Sequence, residues 1–139
     1  MAIDKHIEAV RATTVREIDA AFASLSQQRT DALLVAPDAL FSTRRVQLAT
    51  LATRHAIPAI YVDRVFPEAG GLMSYGSNIL DRERQVGIYT GRVLKGEKPA
   101  DLPILRASKF EFVINLTTAR ALGLDIPPTL LALATEVIE

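Results

Sequence analysis

Apolar positions recur with helical spacing near the start of the chain. Ile18, Phe22 and Leu25 stand at i, i+4 and i+7, and Ala21 falls on the same side, which predicts an amphipathic helix of about three turns. Thr14-Val15-Arg16-Glu17 ahead of them reads as a capping box, with the Thr14 hydroxyl accepting from the Glu17 amide and the Glu17 side chain reaching back. Ala32-Leu33-Leu34-Val35-Ala36 follows as a short continuous apolar run, suited to a strand covered on both faces and closed by Pro37-Asp38. Ser42 and Thr43 are placed to cap a second helix running to His55, with Val46, Ala49 and Ala52–Thr53 facing inward. Ile57-Pro58 breaks it, and Ala59-Ile60-Tyr61-Val62 reads as the next buried strand, ended by Asp63-Arg64. Helix, strand, helix, strand is the rhythm of parallel α/β architecture.

The stretch EAGGLMSYGSN, residues 68–78, interrupts this rhythm with two adjacent glycines and the short apolar pair Leu72–Met73. A third helix is predicted over Ile79–Leu94, with Ile79, Val86, Tyr89 and Val93 on one stripe and Gly96 as its left-handed stop. Gly87 and Gly91, one turn apart, read as places for close packing against a neighbouring element. Leu102–Leu105 suggests a short edge strand, since Pro103 argues against a central one. Phe110–Ile114 is the last strong strand. Asn115 is placed to cap a short helix, Thr117–Leu122, ended by Gly123. Pro127-Pro128 opens a closing segment, Thr129–Ile138, whose Leu130, Leu133, Ala134 and Val137 fit a helical stripe. Residues 1–13 show no clear period and read as an arm or a helical extension, ahead of a single α/β domain over 14–139.

Composition narrows the function more than the fold. A chain of 139 residues, 49% hydrophobic and 23% charged, suits one globular domain. Sixteen basic residues balance sixteen acidic ones, so there is no electrostatic footprint for nucleic acid. No apolar run reaches the ~20 residues that span a bilayer. The start lacks the apolar core of a secretory signal, which places the chain as written in the cytoplasm. The lack of cysteine excludes disulfides, thiolate metal sites and a cysteine nucleophile.

Candidate chemistry gathers at strand ends. Asp38 and Asp63 each follow a predicted buried strand and fall on one carboxyl edge, where open α/β sheets bind ligands. A carboxylate there can take a ligand amine or a metal, or act as a base; it can equally cap a helix or close a turn. Phe41, three residues after Asp38, and Tyr75 are candidate walls of a small-molecule pocket, or packing residues beneath loops. His6 and His55 lack partners at metal-ligand or catalytic spacing and read as structural. The chain has no G-x-S-x-G, G-x-G-x-x-G or Walker sequence, so no catalytic set, metal site or cofactor is expected.

The order of motifs is distinctive. DALLVAPDALF, ATRHAIPAIY, EAGGLMSYGSN, GRVLKGEKPADLPI, KFEFVINLTTARALGLDIPPTLL and ATEVIE together resemble the carboxyl-terminal portion of ABC-transporter substrate-binding proteins, nearest to the tryptophan/tyrosine-type group. The resemblance runs over about residues 14–139 and implies a partial type I periplasmic-binding-protein fold, mainly one lobe plus crossing elements. It also implies a non-enzymatic protein that binds a small organic solute such as an amino acid, with a membrane transporter as partner and a periplasmic location. By the same resemblance Glu68–Asn78 carries the chain from one lobe toward the other. Asp38, Phe41, Asp63, Arg64, Tyr75 and Gly76 would then line the cleft, and residues 72–105 match the other lobe. Relatives of two full lobes are about twice this length. The expectation is therefore a truncated homologue that covers its exposed surface by forming a homodimer, with exchanged elements drawn from 72–105. Two alternatives stand beside it. One is a dimeric remnant that no longer binds solute, and the other is a small cytoplasmic α/β signalling or enzyme domain using Asp38 or Asp63 as its working acid.

Overall fold

The computed structural model describes residues 6–106 and 108–139. Five strands form one sheet in the order β1 (Leu33–Leu34), β2 (Ala59–Tyr61), β3 (Met73–Ser77), β4 (Phe110–Asn115), β5 (Glu136–Ile138). The first three run parallel, β4 runs antiparallel to β3, and β5 runs parallel to β4. The expected α/β class with a mainly parallel sheet is what forms. Residues 6–13 carry no helix or strand, and residues 1–5 of the predicted arm lie outside the described residues.

Register decides which side chains share a face. Ile60, Met73, Ile114 and Val137 stand directly across from one another, as do Tyr61, Ser74, Val113 and Glu136. The Tyr61 face is the more fully covered one, although Ile114 on the opposite face is also fully buried. Helices α1 (Val15–Gln27), α3 (Arg45–Arg54) and α4 (Val65–Glu68) close over it, and Ile18, Phe22, Leu48, Ile57, Tyr61 and Phe66 form the core. The Tyr61 ring lies flat on Phe66 at 4.4 Å. The other face of β1 is bare, and Leu34 is 72% exposed, so the expected covering on both sides does not hold.

Local chemistry explains the remaining differences. The Thr14 hydroxyl does accept from the Glu17 amide at 3.2 Å, but the Glu17 carboxylate returns to the Thr13 amide and hydroxyl, one residue earlier than a capping box requires. The second predicted helix divides in two. Asp38 caps a short α2 (Ala39–Thr43) by accepting from the Leu40 amide at 2.7 Å, and α3 starts afresh at Arg45, leaving Val46 exposed. Met73–Ser77, in the stretch read as a crossing, is a central strand of the sheet. Leu102–Leu105 forms no strand. The predicted closing helix is only the single turn α7 (Pro128–Leu131), after which Thr135 bonds Phe112 in both directions and starts β5. Asn115 does cap α6 (Leu116–Ala121), accepting from the Thr118 amide at 3.0 Å.

Helix α5 (Ile79–Leu94) has the predicted limits, with Gly96 at positive φ just beyond it. None of its residues is buried, and a side chain added at Gly87 or Gly91 would meet nothing within 4 Å, so these glycines pack against no neighbour here. The helix and its return, residues 95–109, form an arm between β3 and β4. The Tyr89 hydroxyl donates to the Pro103 carbonyl and ties the two halves of the arm together.

Candidate functional site

The carboxyl ends of β1, β2 and β3 lie on the edge where β4 and β5 begin, because β4 and β5 run the opposite way. That edge gathers residues far apart in sequence. Arg64, just after β2, donates from Nε to Glu68 at 2.7 Å, from Nη1 to Glu111 at 3.5 Å and from Nη2 to Glu136 at 2.8 Å. One guanidinium thus links α4 with the starts of β4 and β5. Its pKa is raised above the ordinary arginine value, chiefly by the hydrogen bond to Glu68, and further by the bond and charge of Glu136. Asn78 completes the network. Its amide donates to Glu111 Oε1 at 2.6 Å, while its carbonyl oxygen accepts from the Asp81 amide and caps α5.

The sheet permits this closeness because of Gly76, which stands across from Glu111 in the register. A Cβ built at Gly76 would lie 2.0 Å from the Val62 carbonyl oxygen, so β2 and β3 meet there with no room for a side chain. On the open face, Tyr75 stacks on Phe110 at 5.8 Å and meets Phe112 edge-on at 6.2 Å. Tyr75 is 56% exposed, which places it on the surface of the sheet and not beneath a loop.

Beside this edge runs an open groove of about 1000 Å³ between α5 and the return strap. Its walls are mostly apolar, with Val86, Tyr89, Val93, Leu102, Ile104 and Leu105 among them. Its polar end holds Asn78, Asp81 and Lys109, and the Lys109 ammonium bonds the Asp81 carboxylate at 2.7 Å. Asn78 is the residue common to the groove and the Arg64 network.

The six residues expected at a site fall in three places. Asp63, Arg64 and Gly76 belong to the strand-end edge. Asp38 and Phe41 sit at the end of β1, Asp38 capping α2 and Phe41 half-buried against the core. Tyr75 belongs to the aromatic cluster on the open face. None of the six lines the groove. Sequence reading missed Asn78 and Glu111. Asn78 carried a signal as a capping residue before a periodic helix, and Glu111 as the one charge in an otherwise apolar strand. The arrangement offers charge-assisted hydrogen bonds of both signs next to apolar surface, which suits holding a small polar-ended molecule. Among the described residues there is no group of three or more His, Cys, Asp or Glu able to hold a metal ion.

A family model described as ABC transporter substrate binding protein matches residues 3–138. A domain from Streptococcus pneumonia, described as the ABC domain in complex with L-Trp, superposes with a TM-score of 0.82 at 28% identity, covering 91% of this chain and 43% of that one. A conserved domain protein from Vibrio cholerae has the same TM-score at 24% identity, with 91% and 42% covered. A ligand-free, open substrate binding protein with adhesive properties from Clostridium difficile reaches 0.63 at 24% identity, with 92% and 42% covered. The chain thus spans about two fifths of the length of the solved structures it matches. A search of curated proteins finds no match. By the family match over residues 3–138, the chain belongs to the ABC transporter substrate binding proteins.

Proposed function

We propose that this protein binds a small organic solute, an amino acid being the best-supported class, on behalf of a membrane ABC transporter, and performs no chemistry on it. The observation that carries the reading is the family match over residues 3–138, and the structural relative in complex with L-Trp supports the ligand class. In this reading Asp63, Arg64 and Gly76 form the binding edge together with Asn78 and Glu111, while Asp38 and Phe41 contribute from the end of β1 and Tyr75 from the open face beside it. An amino acid carries both charges, and the edge offers a guanidinium and carboxylates within one hydrogen-bonded network. Work with a transporter places the protein outside the cytoplasmic membrane. No helix among the described residues is long and apolar enough to cross that membrane.

A thermal-shift screen against amino acids, nucleosides, aromatic acids and simple sugars near millimolar tests this. A solute at ~100 times its dissociation constant adds about 2.7 kcal/mol, a rise of several degrees in a domain of this size. Asp63→Asn or Tyr75→Ala should reduce that rise while leaving the unliganded melt nearly unchanged. A cooperative melt that no solute moves would refute the binding reading. It would favour the second reading, a homodimeric interaction protein without a ligand. The observation behind that alternative is the apolar surface of the arm, where Leu80, Leu94 and Ile104 stand exposed. Residues 72–105, the segment that matches the other lobe of full-length relatives by resemblance, are in this second reading the part exchanged or repacked between copies.

A further inference from the structure

The glycine pair after α4 closes a turn that other elements hold in place. Gly71 donates to the Phe66 carbonyl at 2.8 Å, and Gly70, at positive φ, donates to the Pro67 carbonyl at 3.1 Å. These are the paired bonds that end a helix on a left-handed glycine. A single turn of helix has little stability of its own, and its last carbonyls need further partners. Both needs are met from β4 and α6. The Asn115 amide donates to the Pro67 carbonyl at 3.0 Å, and the Thr118 hydroxyl donates to the Gly70 carbonyl at 2.9 Å. Asn115, Thr118 and Pro67 are buried, so these bonds form away from water, where an unmade one is costly. The Asn115 carbonyl oxygen already caps α6, so the bond to Pro67 is a second duty that Asp, an equally good cap, could not perform.

These contacts lie at the opposite edge of the sheet from the Arg64 network. Strand β4 begins near Arg64, where Glu111 meets the guanidinium, and ends at Asn115, which bonds Leu72 just before β3. The segment from Arg64 to Pro67 is thus fastened to one strand at two points. From Glu111 to Asn115 the strand rises about 13 Å, while one helical turn rises about 5 Å, and the Arg64 side chain spans the difference. Its 3.5 Å contact with Glu111 stands at the limit of a hydrogen bond, so a shift of α4 by about half an ångström away from Glu111 ends it. Glu68, next to Pro67 on the same turn, holds Arg64 Nε at 2.7 Å and moves with that turn. We propose that Asn115 and Thr118 are positioning residues for the binding edge. By fixing the Pro67 and Gly70 carbonyls they set where α4 stands, and through Glu68 they set the direction of the Arg64 guanidinium. The inference rests on the reading of Arg64 as part of that edge, but its test needs no solute.

The test follows the arginine Nε–Hε resonances of the full chain by NMR, with Arg64→Lys identifying the one from Arg64. Hydrogen exchange at Arg64 Hε reports how firmly Glu68 holds it. Arg92, which donates from Nε to Glu97 at 2.8 Å on the arm, is the internal control. Thr118→Val keeps the shape of the side chain and the backbone amide that Asn115 caps, and removes the hydroxyl donor. It should speed exchange at Arg64 about tenfold and leave Arg92 unchanged, and Thr118→Ser should restore the natural rate. Asn115→Ser, which keeps a capping oxygen and loses the amide, should act in the same direction; if it fails to fold, the Thr118 pair carries the test. Glu68→Ala alone should also speed exchange, and adding Thr118→Val to it should change little more, because both act through one contact. A Thr118→Val chain that melts lower yet keeps the natural Arg64 rate overturns the proposal and leaves Thr118 a purely structural role. Equal acceleration at Arg64 and Arg92, no rescue by serine, or full additivity with Glu68→Ala overturns it as well. A chain that no solute stabilises but that shows the Thr118 effect refutes the binding reading alone and leaves the control of Arg64 standing.

Discussion

Replacing Gly76 with alanine tests the contact that brings the strand ends together. The added Cβ would sit 2.0 Å from the Val62 carbonyl oxygen and 3.0 Å from the Val62 carbonyl carbon and Cγ1. The nearest of these is a backbone atom in the neighbouring chain segment, so no side-chain rotation relieves the overlap. The end of β3 must move away from β2. Such overpacking costs about 1–3 kcal/mol. Alanine also restricts the unfolded chain, which returns about 0.4–1 kcal/mol, so the backbone clash decides the sign. Movement of Gly76 carries its cross-strand partner Glu111 away from Arg64 and Asn78, which adds to the cost. The net loss should be about 1–2 kcal/mol, and at roughly 4 °C per kcal/mol the melting temperature falls by several degrees. Gly87→Ala is the matched control. It lies inside an exposed helix with nothing within 4 Å of the added methyl, so in dilute protein it should gain about 0.5–1 kcal/mol. Thermal and urea unfolding of both variants read the two signs directly. A Gly76→Ala chain as stable as the natural one would refute the close approach of β2 and β3 at the site.

Substitutions at Tyr61, Arg64 with Glu136, and Asn78 probe the interior and the edge. Tyr61 is fully buried, and its hydroxyl has no hydrogen-bond partner among the described residues, so Tyr61→Phe should leave the melt unchanged or raise stability by up to about 1–3 kcal/mol. Burial also pushes the Tyr61 phenol far above its ordinary pKa; the unfolded chain ionises first, so natural stability should fall from pH 10 upward, and alkaline melts of Tyr61→Phe should lose part of that fall. Arg64→Ala should cost about 1 kcal/mol, and its coupling to Glu136→Ala in a double-mutant cycle should stay below about 1 kcal/mol and shrink with salt, because both side chains are part-exposed. Asn78→Asp should keep the cap on α5 but set a second carboxylate against Glu111, so melts at neutral pH should fall by several degrees and recover in acid. Asn78→Ser should show no such recovery, and equal behaviour of the two variants would refute the Asn78–Glu111 contact.

What could be read in the sequence follows the range of the interactions. Helices α1 and α5 came out with the right stripe, cap or limits because one period and one capping residue fix them locally. Strands β2 and β4 were legible as short apolar runs bounded by turns. Strand β3 was not, because its buried positions are Ser74 and Gly76, chosen for closeness to β2 and not for apolar character. The closing segment failed for another reason. Leu130, Leu133, Ala134 and Val137 fit a helix as well as they fit a turn and a strand, and pairing with β4 through Thr135 decides between them.

The same logic explains why the edge was only half legible. A strand-end Asp or Arg is visible from its own neighbours, so Asp63 and Arg64 could be named. The groups that give Arg64 its geometry lie 47 and 72 residues further along, at Glu111 and Glu136, and only the reversal of β4 brings them to it. Their spacing obeys no period. Asn78 shows how far one residue can be misread when two duties coincide. As a cap it satisfies the Asp81 amide at the start of α5, which any short polar residue could do. Its amide also holds Glu111 at 2.6 Å, a duty that requires a donor and therefore excludes Asp, an equally good cap. The choice of Asn over Asp at this position carries information about the site that capping preference alone does not contain. Because that residue also ends the groove, the arm and the strand-end network should respond together to whatever binds at either one.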